Sequence, residues 1–103
     1  MTKEERVRGY LGLAARAGKI ESGEFSVEKA VKSGRAYVVY IAGDASENTR
    51  KKFGNMCEFY KVPCYARADR EELGHMIGRL YRASLAVTDP KLAKALISLE
   101  EQS

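Results

Sequence analysis

The chain has 103 residues, enough for one hydrophobic core and too few for two. Its 18 lysines and arginines against 14 acidic residues leave a formal charge of +4, too small to identify a polyanion binder by itself. The surplus is shared equally by the two halves, which excludes a basic tail or acidic arm, and 45% hydrophobic with 31% charged residues excludes disorder.

Thr2 and Glu5 form a capping-box signature, and Val7, Tyr10, Leu11, Ala14 and Ala17 recur at helical spacing until Gly18 stops the pattern. Lys19–Ser22 is a short extended stretch. A brief second helix follows, with Val27, Ala30 and Val31 on one face and Gly34 at its end. Residues 36–42 read AYVVYIA, an unbroken apolar run that predicts a central strand covered on both faces. Ser46 caps a third helix whose apolar face is Phe53, Met56, Cys57 and Tyr60. Pro63–Ala66 predicts a short strand, and Asp69 with Glu72 opens a fourth helix closed by Gly78. Ala83–Val87 is a buried strand, and Asp89-Pro90 starts a last helix through Leu99, with residues 100–103 as a fraying tail. Helices alternating with strands predict an α/β protein, a three-layer α/β/α sandwich on a small mixed sheet of about four strands, with 1–103 as a single domain.

No apolar run approaches the roughly 18 to 20 residues that cross a bilayer, so no membrane partner is expected. The start MTKEERVRGYLGL mixes acids and bases too early for a signal peptide, which points to the cytoplasm. Cys57, Cys64 and His75 cannot complete a structural zinc site, and both cysteines read as buried thiols; no metal and no cofactor are expected. His75 has neither a nucleophile nor an orienting partner beside it in sequence, and no other catalytic constellation is visible, so an enzyme is not expected.

Two segments carry more information. In the first, Gly23 opens the second helix, where a glycine lets a phosphate approach free N–H groups and the helix dipole, and Lys29 lies one to two turns farther in. Phe25, beside Ser26, either stacks on an unpaired base or joins Val27 and Ala30 in the core. In the second, Gly78-Arg79-Leu80-Tyr81-Arg82 joins the fourth helix to the last strand, and its interleaved guanidinium and aromatic groups suit nucleic acid. A solvated loop is the alternative.

These segments and their surroundings resemble the ribosomal-protein family of L7Ae, L30e and related kink-turn RNA binders, in particular its small bacterial YlxQ-like branch. The resemblance runs in order over roughly residues 5–99: LGLAARAGKIESGE, KAVKSGRAYVVYIAGDAS, the Cys57–Pro63 junction, REELGHMIG and SLAVTD. It implies the same three-layer fold and an RNA-binding edge built from the second helix and the loop before the last strand. Gly23 and Lys29 match family positions. Where RNA-binding members carry Asn-Glu to read tandem sheared G·A pairs, this chain has Phe25-Ser26; Glu24 stands one position too early to substitute, and Ser33 replaces a basic residue. The phosphate-holding parts are kept and the base-reading parts altered. The resulting expectation is a non-enzymatic protein that binds structured RNA, of kink-turn or internal-loop type, through Gly23, Glu24, Phe25, Ser26, Lys29 and Gly78, Arg79, Leu80, Tyr81, Arg82. Ribosomal or other non-coding RNA is the expected partner, with ribosome- or translation-associated proteins beside it. The alternative is a protein-interaction module that keeps the fold without RNA binding.

Overall fold

The computed structural model describes residues 1–102. The chain runs α1 (Lys3–Arg16), β1 (Ile20–Ser22), α2 (Glu24–Lys32), β2 (Val38–Ile41), α3 (Glu47–Tyr60), β3 (Cys64–Ala66), α4 (Arg70–Met76), β4 (Ser84–Val87) and α5 (Pro90–Glu101). The capping box of α1 forms as predicted: the Glu5 amide donates to the Thr2 hydroxyl at 3.1 Å, and the Thr2 amide donates to the Glu5 carboxylate at 2.9 Å. Ser46, Asp69 and Asp89 cap α3, α4 and α5 by accepting from the amides of Thr49, Glu72 and Leu92. Gly18, Gly34 and Gly78 all take positive φ just past their helices. The end of α3 is different, because Lys61 itself adopts φ 62 and no glycine marks the stop.

The four strands pair in the order β1-β4-β2-β3. β4 runs antiparallel to both β1 and β2, and β2 pairs with β3 in parallel, so α3 is the single crossover between parallel neighbours. Every residue of β2 and β4 is buried, as their unbroken apolar runs predict. That burial needs cover on both faces. The helices supply it in two groups: α2 packs on α3, while α1 packs on α4 and α5. Tyr40, Phe53, Leu11, Leu73, Leu85 and Leu96 are the largest fully buried side chains, each contributing about 1.5–3 kcal/mol through burial. No helix of the described residues is long and apolar enough to cross a membrane.

Three expectations are corrected. The last helix does not end at Leu99; it continues to Glu101. The Glu100 carboxylate, only 5% exposed, is gripped by Arg67 at 2.6 Å and 2.9 Å and accepts from the Tyr40 hydroxyl at 2.9 Å. Acidic residues oppose the dipole at a helix C-terminus, and here an arginine just after β3 offsets that penalty. Ser103 lies outside the described residues. Tyr60, expected on the apolar face of α3, is 40% exposed and packs edge-on against Phe59, with ring centroids 5.0 Å apart. Of the two thiols only Cys57 is buried; Cys64 is half-buried. The hydrogen bond to Cys64, together with burial, holds the Cys57 thiol above its usual range.

Candidate nucleic-acid interface

The antiparallel register of β1 on β4 pairs Ser22 with Leu85. The end of β1 therefore lies beside the start of β4, and the two segments singled out in the sequence leave the sheet side by side. The Gly23 amide confirms the junction by donating to the Ser84 carbonyl at 3.1 Å. Gly23 caps α2 with φ 92 and ψ 157, a conformation strained for any residue with a Cβ, and contributes no side chain to the cap. The N–H groups of Glu24, Phe25 and Ser26 have no acceptor within the helix, since the first intrahelical bond runs from Val27 to Gly23. A negative group at this opening meets free donors and the positive end of the helix dipole.

The side chains of α2 divide by role. Val27, Ala30 and Val31 fill the core. Phe25 does not join them: it is 79% exposed, which decides between the two readings of this aromatic. Ser26 is half-buried. Glu24 and Glu28 are drawn toward α3, where the Lys52 ammonium lies 3.5 Å from the first and 2.9 Å from the second. Lys32, at 2.7 Å, and Lys52 hold the Glu28 carboxyl down to about 2. Glu24 is thus engaged by a lysine of α3. Lys29 is exposed and has no ion-pair partner among the described residues.

In the second segment Gly78, Arg79, Leu80 and Tyr81 are all exposed, Leu80 by 75% and Tyr81 by 63%. Their backbone rests directly on α4. A Cβ on Gly74 would come within 2.9 Å of the Leu80 carbonyl carbon and oxygen and of the Tyr81 nitrogen, so only glycine fits beneath the loop. The Gly74 carbonyl also accepts from the Arg79 amide at 2.8 Å. The Arg79 side chain makes no ion pair among the described residues. Arg82 behaves differently: its Nε donates to the Ser22 hydroxyl at 2.8 Å and its guanidinium also donates to the Tyr81 carbonyl at 2.6 Å.

Of the three cations expected to converge here, Lys29 and Arg79 are free and Arg82 is held between the two segments. Sequence reasoning missed Ser22 and Gly74. Ser22 carried no signal beyond its place before Gly23, whereas a glycine inside a helix, at a cost of about 1 kcal/mol relative to alanine, was a legible hint of close packing. His75 is exposed in the last turn of α4, and no three metal-ligating side chains stand together among the described residues. The edge combines free amides, two unpaired cations and three exposed apolar side chains, Phe25, Leu80 and Tyr81. Amides and cations suit phosphate, and the apolar side chains suit unstacked bases.

Comparison with known proteins places the chain among relatives of similar length and the same fold. The chain is 47% identical over 89 residues to the "RNA-binding protein YlxQ" of Bacillus subtilis (strain 168), covering 86% of this chain and 89% of that protein. It is 35% identical over 97 residues to the protein of the same name from Enterococcus faecium, covering 94% and 93%. The solved structure of a protein with unknown function from Bacillus halodurans superposes with a TM-score of 0.89 at 34% identity, over 93% of this chain and 97% of that one. Residues 5–97 match the model of one family throughout, so by sequence and by fold the chain belongs to the ribosomal protein L7Ae/L30e/S12e/Gadd45 family.

Proposed function

We propose that the protein is a non-enzymatic RNA-binding protein that recognises structured RNA, of kink-turn or internal-loop type, in association with the ribosome or the translation machinery. The observation that carries this reading is the meeting, at one sheet edge, of the bare amide turn at Gly23 with the 78–82 loop, with Phe25, Leu80 and Tyr81 exposed around it. Phosphate sits on the Glu24–Ser26 amides at the Gly23 turn, with Lys29 and Arg79 supplying charge, and extruded bases stack on the apolar side chains. Membership of a ribosomal-protein family and the RNA-binding names of its relatives support the same conclusion.

Phe25-Ser26 occupies the place where the resemblance puts base-reading Asn-Glu. Recognition therefore leans on backbone shape and stacking, with weak discrimination for sheared G·A pairs. The test is crosslinking to cellular RNA and sequencing what is bound, for the native protein and for a Lys29→Ala/Arg79→Ala/Arg82→Ala variant. Strong recovery from the native protein and poor recovery from the variant is the expected result. Equal recovery removes this edge from consideration, and salt-insensitive capture of a protein with no RNA assigns it to a protein partner.

A further inference from the structure

Arg82 differs from the other cations of the edge in where its hydrogen bonds go. Its main chain is pinned, because its amide donates to the Arg70 carbonyl at 3.0 Å, and the next carbonyl, of Ala83, accepts from Ala42 at 2.9 Å. From that fixed base the guanidinium reaches across to the Ser22 hydroxyl at 2.8 Å and back to the Tyr81 carbonyl at 2.6 Å. Ser22 directly precedes the Gly23 cap, and Tyr81 belongs to the exposed tip of the loop. One planar, forked donor group therefore ties the opening of α2 to the tip of the second segment. Both acceptors are neutral, so the guanidinium is oriented without being neutralised, and the half-buried side chain has little freedom to swing toward a ligand.

We infer that Arg82 is a positioning residue, whose guanidinium bridges Ser22 to the Tyr81 carbonyl and sets the spacing of the two RNA-contacting segments without itself contacting phosphate. The inference rests on the RNA-binding reading above. It separates Arg82 from Lys29 and Arg79, which lack such partners and act through charge. A lysine at position 82 keeps the charge but cannot present two fixed donors to two acceptors. Ser22→Ala keeps every charge and removes one end of the strut.

The experiment is a double-mutant cycle with the intact protein and one RNA probe, a duplex interrupted by a three-nucleotide bulge beside tandem G·A pairs. Affinity is measured over a series of salt concentrations. Arg82→Lys and Ser22→Ala should each weaken binding roughly 10- to 150-fold, as expected for one charge-assisted hydrogen bond. The slope of log affinity against log salt should stay unchanged in both, and the double variant should be no weaker than either single one. Lys29→Ala, in contrast, should flatten the slope by about 0.7–0.9. In the free protein, Ser22→Ala should shift the amide resonances of residues 78–83. Native-like binding by Arg82→Lys, strictly additive losses, or unmoved amide resonances overturn the assignment. If the native protein binds neither this probe nor cellular RNA, the RNA reading is what fails, and the amide resonances still decide whether the strut exists.

Discussion

Replacing Gly74 by alanine sets two effects of known size against each other. Alanine within an exposed helix is favoured over glycine by about 1 kcal/mol. At position 74 the added methyl would meet three backbone atoms of Leu80 and Tyr81 at 2.9 Å. Backbone cannot rotate away as a side chain does, so the loop must lift by roughly half an ångström or more, and overpacking of this kind costs about 1–3 kcal/mol. Net stability in urea should therefore fall by about 0–2 kcal/mol. RNA affinity should fall further, because the displaced segment carries Leu80 and Tyr81; losing one stacked base costs about 1–3 kcal/mol, or 5- to 150-fold. Gly54→Ala in α3 is the control: nothing lies within 4 Å of its Cβ position, so it should stabilise the protein by about 1 kcal/mol and leave RNA binding alone. Fluorescence anisotropy with a labelled RNA, alongside urea unfolding, reads both quantities. A Gly74→Ala variant as stable as Gly54→Ala, with native affinity, would refute the close-seating argument.

Phe25→Ala should weaken RNA binding by about 1–3 kcal/mol and leave the melting temperature nearly unchanged, since the ring is 79% exposed; a large loss of stability would mean that the ring packs. Lys29→Ala and Arg79→Ala should each flatten the salt dependence by about 0.7–0.9, and together by about twice that, in anisotropy titrations. Gly23→Ala should destabilise the fold by about 1–3 kcal/mol through its φ of 92 and ψ of 157, measured by urea unfolding. On the acid side, burial pushes Glu100 up, but the Arg67 and Tyr40 hydrogen bonds outweigh it and hold the carboxyl below its ordinary 4.5. Its contribution is present above that value and is lost as pH falls through the lowered one. Melts across this range should show that loss in the native protein and a smaller one in Glu100→Gln, which at neutral pH should be less stable by about 1–3 kcal/mol.

Local chemistry made much of the fold readable. The caps at Thr2, Ser46, Asp69 and Asp89 and the stops at Gly18, Gly34 and Gly78 act within one turn, so residue type alone announces them. The unbroken apolar runs at 36–42 and 83–87 likewise marked the interior strands. What stayed hidden depends on partners distant in sequence. Glu100 reads as the start of a fraying tail until Arg67 is seen beside it, and Arg82 reads as a free surface charge until Ser22, sixty residues earlier, takes its hydrogen bond. Phe25 lies on an amphipathic helix in which apolar residues ordinarily face inward, but helical spacing sets it opposite Val27, Ala30 and Val31, and it is exposed there. Lys61 stops α3 in a conformation that residue type does not advertise. The pairing of the two segments proposed to face RNA came from family resemblance, and the β1–β4 register supplies its physical cause.

That register also governs when the edge can exist at all. Ile20 pairs with Val87 and Ser22 with Leu85, so among the described residues the strand bearing the α2 opening gains its one sheet neighbour from near the other end of the chain. A chain still emerging from its exit tunnel holds the sequences of α1 and α2 but lacks the strand that places them against the 78–82 loop. Closing so long a loop is the slow, entropically opposed part of folding. Nascent and partly unfolded chains therefore hold the parts proposed to contact RNA without their spacing, and the assembled edge belongs only to molecules whose folding is essentially complete.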